Sequence, residues 1–230
     1  RAALSGALGP WPPGSPRLRQ SSPRPKLAAM DEMVKKAMMK WPDVPNVFGW
    51  LRLDRRGNWL LQVRPQQFER IGNAGLVDFI GRNYEHDEEG RWYFQNGPQR
   101  VFVGLDYTPY VYRLGEDRRQ WLTQAGEPAG DPVELLVDEH DSIVLVTALG
   151  PGLVLDRDLS ALIDGLADER GAEIDMEALI PELRQARGKP VAGLLLFGEP
   201  VSVAATRSAT LARRFGFVAE PQALEKFPIQ

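Results

Sequence analysis

The chain has 230 residues, 43% of them apolar, no cysteine, and 28 basic against 31 acidic side chains, for a net charge of −3. That is enough chain for one generous domain or two small ones with a true core, and it excludes a disulfide framework, a thiolate nucleophile and a cysteine-ligated metal. The longest nearly unbroken apolar stretch, Ile143 to Leu155, is interrupted by Thr147, Gly150, Pro151 and Gly152 and falls short of the roughly 20 residues a bilayer crossing needs, so a cytoplasmic protein without a membrane span is expected.

Residues 1–29 carry Arg1, Arg17, Arg19, Arg24 and Lys26 without one carboxylate and are rich in Pro, Ser, Gly and Ala. Such a composition has too little apolar surface to order and reads as a disordered tail. With Met30 following, it is taken as upstream or tag sequence rather than a transit peptide, whose helical period Pro10, Pro12, Pro13 and Pro16 break. The remaining residues hold 23 basic against 31 acidic side chains, a net charge of −8, which disfavours nucleic acid as a partner over most of the surface.

From Met30 the pattern changes: Met30, Met33, Val34, Ala37, Met38 and Trp41 share one helical face, stopped by Pro42 and Pro45. Its methionines suit either packing on a sheet or an adaptable partner surface. Val47–Leu53 and Asn58–Val63 read as strands joined by Asp54-Arg-Arg-Gly57, since Asp first and Gly fourth suit a type I turn closed by a left-handed residue. Asn73 is the expected N-cap of a helix to about Tyr84, with Leu76, Val77, Phe79, Ile80 and Tyr84 as its buried stripe. Asp87-Glu-Glu-Gly90-Arg-Trp92 repeats the Asp-x-x-Gly-x-Trp spacing of Asp54 to Trp59, and Asp138-Glu-His-Asp141-Ser-Ile143 is a degenerate third copy in which Asp141 tolerates the left-handed conformation.

Strands Arg91–Gln95 and Gln99–Val103 flank the hairpin signal Asn96-Gly97, and Pro98 suggests a sheet edge. Tyr107–Tyr112 continues extended, and the polar stretch Gly115–Pro132 is the boundary between halves. The second half shows a strand pair over 133–149, then a helix carrying Leu159, Leu162, Ile163 and Leu166 and ending near Gly171. A helix over Asp175–Arg187 follows with Met176, Leu179, Ile180 and Leu183 inward, then a strand pair over Val191–Val203 turning at Gly198-Glu-Pro200. The expected fold class is α+β: antiparallel β-hairpin sheets with packed amphipathic helices, a hairpin-helix-hairpin unit occurring twice, at 30–127 and 128–230.

Three stretches carry a family resemblance: Met30-Asp-Glu with Lys40-Trp-Pro, Gly49-Trp-Leu-Arg-Leu-Asp-Arg-Arg-Gly-Asn-Trp59, and Trp92-Tyr-Phe-Gln-Asn-Gly-Pro-Gln-Arg-Val101. Through them residues 30–155 resemble an uncharacterised family of small proteobacterial proteins known as a domain of unknown function. The order Asp-x-x-Gly-x-Trp, helix, then Val101-Phe-Val-Gly-Leu-Asp-Tyr-Thr-Pro-Tyr110 is similar to a second uncharacterised bacterial family. The first resemblance implies Met30 as the start, and the second implies a repeated α/β unit on small antiparallel sheets. Neither implies an activity or site residues.

Both histidines stand in Glu-His-Asp tripeptides, Glu85-His86-Asp87 and Glu139-His140-Asp141. Histidine beside carboxylates suits a general base or, with Glu88 and Glu89, a hard cation, yet both fall at expected hairpin tips, where charged residues are simply solvated. Gly150-Pro-Gly152 lacks the third glycine of a dinucleotide fingerprint, and Gly188-Lys189-Pro190 lacks the hydroxyl of a phosphate loop. No Gly-x-Ser-x-Gly elbow is present, and no cofactor or metal is expected.

The strongest local feature is the aromatic run Trp92 to Arg100. Strand alternation sends Trp92 and Phe94 to one face and Tyr93 and Gln95 to the other, and it leaves Arg100 to clamp a carboxylate or phosphate, oriented by Tyr107 or Gln95. The ligand-binding candidates are therefore Asn83, Tyr84, Gln95, Arg100, Asp106 and Tyr107. In the competing reading Arg100 merely pairs with Asp106 on an ordinary sheet. The expected function is a binding or regulatory module recognising a protein or a small anionic ligand. A hydrolase or transferase using His86 with neighbouring carboxylates is the alternative, and a homo-oligomer joined through edge strands is a third reading.

Overall fold

The computed structural model describes Lys36, Met39 and residues 44–223 apart from 119 and 187. The tail 1–29, the methionine-rich helix except Lys36 and Met39 (both helical), and Arg187 at the end of an expected helix lie outside the described residues. Strands β1 (Val47–Leu53), β2 (Trp59–Arg64) and β3 (Gln67–Arg70) form a meander, followed by helix α1 (Ala74–Arg82). Strands β4 (Tyr84–His86), β5 (Trp92–Asn96) and β6 (Gln99–Leu105) complete a six-stranded sheet ordered β3-β2-β1-β6-β5-β4.

The chain then crosses to a second sheet through β7 (Tyr110–Leu114) and β8 (Trp121–Leu122). There β9 (Glu134–Val137), β10 (Ile143–Thr147) and β11 (Gly150–Val154) lead into α2 (Leu159–Asp164), β12 (Leu166–Asp168) and α3 (Met176–Gln185), and β13 (Val191–Leu196), β14 (Glu199–Ala205) and α4 (Ser208–Phe215) follow. The eight strands are ordered β12-β13-β14-β9-β10-β11-β7-β8. The fold is α+β as expected, but the sheets are mixed rather than antiparallel: β1 runs parallel to β6, β9 to β14 and β7 to β11. Hairpin signals are local and report only antiparallel neighbours, whereas these parallel pairs join strands distant in sequence. Among the described residues no helix is long and apolar enough to cross a membrane.

The Asp-x-x-Gly segments are sheet corners. One oxygen of Asp54 accepts the backbone N–H of Arg56 at 2.8 Å and of Asn58 at 2.7 Å. Gly57 donates its own N–H to the Asp54 carbonyl from a φ of 78°, which a Cβ would disfavour. Asp138 holds His140 and Ser142 in the same way, both at 2.8 Å, with Asp141 at φ 60° where the first corner has glycine. Asp87 accepts the Arg91 N–H, and Asp168 those of Arg170 and Ala172. The residue five after each of the first three acids, Trp59, Trp92 and Ile143, enters the core.

Several expected boundaries move, each for a local reason. Helix α1 is capped by the Asn73 side chain as expected but ends at Asn83, so Tyr84 opens β4 instead of closing the helical stripe, and Leu76 stays 40% exposed. Asn96 pairs with Gln99, so the tip of that hairpin is Gly97-Pro98; Pro98 is tolerated because it stands in the turn, and β5 and β6 are interior strands, not an edge. Gly150-Pro-Gly152 is part of β11, where Gly152 lies under the Tyr112 ring and a Cβ would sit 2.3 Å from it. Helix α2 stops at Asp164, and Asp168 to Gly171 form a fourth corner in place of a helix end. Leu196 pairs with Glu199, so the last hairpin turns at Phe197-Gly198 and Pro200 lies within β14.

An aromatic column joins the two sheets. Trp59 meets Tyr84 edge-on at 5.0 Å, Tyr84 lies 4.7 Å from Trp92, and Trp92 meets Tyr110 at 5.1 Å. All four rings are buried, and the Tyr84 hydroxyl donates to the Pro109 carbonyl on the link between the sheets. Each such ring pair adds about 1 kcal/mol beyond its buried area. After α4 the chain returns to the first sheet: Val218 donates to the Gly90 carbonyl, Leu105 donates to that of Ala219, and Arg52 pairs with Glu220. At α4 itself, Glu139 accepts the Ser208 backbone N–H at 2.8 Å and its hydroxyl at 2.6 Å.

Two outcomes follow from these contacts. A Cβ on Gly90 would sit 1.9 Å from the Gly216 carbonyl oxygen at a φ of 77°, so Gly90→Ala should lower stability by about 3 kcal/mol in urea unfolding. The Ser208 hydroxyl and then its N–H hold the Glu139 carboxyl down to about 2 from an ordinary 4.5. Its tie to α4 is therefore complete above about pH 4.5 and lost as the pH falls toward about 2. In Ser208→Ala, an NMR titration should find the Glu139 carboxyl returned toward 4.5; a carboxyl still titrating near its native value would show that Ser208 is not the cause.

Candidate functional site

Between the two sheets lies a cleft of about 660 Å³ whose walls carry four arginines. Arg55 and Arg56 project from the first corner because the Asp54 carboxylate spends itself on backbone N–H groups and leaves the next two side chains free. Arg70 stands at the end of β3, and Arg157 reaches in from the turn between β11 and α2. Leu153 and Leu155 form an apolar part of the wall, and Asn58 and Asp156 complete it.

The four guanidiniums are unequally engaged. Arg55 donates to the Ser142 hydroxyl at 2.8 Å and lies 4.2 Å over the Tyr107 ring. Arg157 comes no nearer than 3.6 Å to the Asp158 carboxylate. Among the described residues, the Arg56 and Arg70 side chains meet no acceptor and the carboxylate of Asp156 meets no donor. The Asn58 amide N–H is held by Asp54 at 2.9 Å, which leaves its carbonyl oxygen to act as an acceptor. Four cations against one carboxylate make a concentrated positive site in a body that is otherwise net acidic. Guanidinium does not titrate in the working range and presents a planar fork of donors. Such a lining can hold an anion.

A second cavity, of about 980 Å³, lies between α3 and α4 and is floored by Ile180 and Leu183. Much of its charge is already met: Arg184 pairs with Asp141, Arg214 with Glu134, and Glu139 with Ser208.

The six residues expected to bind a ligand fall in three places. Asn83 is fully buried and donates its amide to the Phe79 carbonyl, and Tyr84 is part of the aromatic column; burial raises its phenol well above the usual range. Gln95 and Arg100 are cross-strand neighbours, Gln95 buried with its amide on the Gly97 carbonyl and Arg100 lying 4.5 Å over the Tyr93 ring. Asp106 pairs with Arg52 rather than with Arg100. Tyr107 donates to Asp138 at 2.5 Å, and burial followed by this bond raises its phenol. Of the six, Tyr107 alone adjoins the arginine cleft, through Arg55.

His86 is exposed at the end of β4 against Trp92, and His140 lies on a different corner with 70% of its side chain exposed. Neither lines either cavity. Among the described residues no group of three or more His, Asp or Glu converges in a way that could hold a metal ion. None of the four arginines, Arg55, Arg56, Arg70 and Arg157, was among the residues expected from the sequence. The available signal was the pair Arg55-Arg56 inside a corner whose copies at Asp87 and Asp138 present Glu88-Glu89 and Glu139-His140.

Comparison with known proteins adds a family. No curated protein matches the chain. Among solved structures, a DUF1285 family protein from Silicibacter pomeroyi DSS-3 is similar at 18% identity and a TM-score of 0.44, over 69% of this chain and 81% of that one. The family model DUF2944, described as "Protein of unknown function (DUF2946)", matches residues 30–222, well past the 30–155 over which the family resemblance was legible. A match over that span makes the chain a member of this family of unknown function.

Proposed function

We propose that the protein is a binding or regulatory module that takes a small anionic ligand into the arginine cleft. The observation that carries this reading is the convergence of Arg55, Arg56, Arg70 and Arg157, two of them without an acceptor, on one cavity. Guanidiniums gathered in this way repel one another until an anion enters, and a bidentate pair with phosphate or carboxylate then relieves them. The net charge of −8 over residues 30–230 argues for a small anion rather than a nucleic acid, because a long polyanion would meet repulsion outside the cleft. Arg55 also links the cleft to the corner at Asp138 through Ser142 and Tyr107, so occupancy has a path into the second sheet.

The same reading includes an internal duplication, with the units taken as 30–127 and 128–230. Its support is connectivity: a three-stranded meander, a helix and three further strands occur twice, with the first and last strands of each set parallel. Aspartate corners stand between β1 and β2, between β9 and β10, and after β4 and β12. On this view the cleft lies at the joint of the two units, three arginines coming from one and Arg157 from the other.

Titration calorimetry with pyrophosphate tests the anion reading. Binding should weaken as salt is raised, and Arg56→Ser with Arg70→Ser should lower affinity by roughly a hundredfold, tenfold for each charge-assisted contact. Both arginines are exposed, so the variant should retain the native unfolding temperature. Equal pyrophosphate affinity in the variant and the native chain would refute the assignment.

A further inference from the structure

We infer that the anion is the phosphate end of a nucleoside phosphate; this rests on the anion reading of the cleft and narrows it. The cleft is not uniformly basic. Asp156 faces the same space as Arg56 and Arg70, and no described residue neutralises its carboxylate. A site for a bare polyanion gains nothing from a carboxylate, which repels the ligand that the arginines attract. An acceptor at that place is favourable when the ligand brings an O–H or N–H donor to it, and the Asn58 carbonyl oxygen, left free by the bond from its amide to Asp54, is a second acceptor on the same wall.

Leu153 and Leu155 narrow the class further. They place hydrocarbon beside the two acceptors, with Leu153 only 5% exposed at the base of the wall. A phosphorylated sugar would turn hydroxyls against that hydrocarbon, and a hydroxyl desolvated without a partner is unfavourable. A flat heteroaromatic ring suits it: its faces are apolar, its edges carry donors, and guanidinium planes stack on it. A volume of about 660 Å³ also falls within the range of small-molecule sites, roughly 300–1,000 Å³, and a single tetrahedral anion would fill only a small part of it. A ligand carrying phosphate, ribose hydroxyls and a base matches the arginines, the acceptors and the leucines in turn.

Calorimetric titration of the full chain with ADP, GDP, ribose 5-phosphate and pyrophosphate, repeated on Asp156→Asn, tests this. The expected result is at least one nucleotide binding about tenfold more tightly than pyrophosphate and ribose 5-phosphate. Asp156→Asn should then weaken that nucleotide while leaving pyrophosphate unchanged or tighter. If pyrophosphate or ribose 5-phosphate binds as tightly as both nucleotides, or if Asp156→Asn affects all probes alike, the nucleoside assignment fails and the anion cleft stands. If none of the four binds the native chain, both fail.

Discussion

At Asp54, Asp138 and Asp168 a single carboxylate oxygen accepts two backbone N–H groups of the turn that follows it, and at Asp87 it accepts one. A reversing chain leaves these donors without strand partners, and an unpaired backbone donor near the core is unfavourable by about 1–3 kcal/mol. The carboxylate supplies the partner, fixes the fourth residue in the left-handed region and returns the chain so that Trp59, Trp92 or Ile143 points inward. Register follows from this, because a slip of one residue would turn each of these side chains to the opposite face.

The corners also govern how charge is displayed. The side chains of the two residues after each aspartate take no part in the backbone hydrogen bonds of the turn, so their identity can change without disturbing it. At Asp87 and Asp138 they include acids; at Asp54 they are Arg55 and Arg56. With the aromatic column holding the sheets together and the segment after α4 tied back to Gly90 and Leu105, that corner comes to rest opposite Arg157 and beside Arg70. One scaffold element therefore accounts both for the pairing of the strands and for the position of the basic cleft.

Legibility in the sequence differed by range. Aspartate-led corners, the Asn73 cap and the strands beside them were readable because each is decided within about five residues. The limits of α1 and α2 were not, since Tyr84 and Leu166 suit a helical stripe as well as a strand that enters the core. Gly150-Pro-Gly152 looked like punctuation, and became part of a strand because the Tyr112 ring occupies the space a side chain would need. The site was the least legible part: Arg70 and Arg157 are isolated cations in sequence, while the aromatic run that drew attention, Trp92 to Arg100, is largely occupied with packing.

Composition, turn chemistry and periodicity were thus sufficient for the α+β class, the absence of thiol chemistry and three of the four aspartate corners, because these depend on contacts between near neighbours in the chain. The parallel pairing of β1 with β6 and of β9 with β14 and the meeting of four arginines in one cleft were decided only on folding. Each joins residues far apart in sequence, and what brings them together is the burial of one hydrophobic core shared by the two sheets.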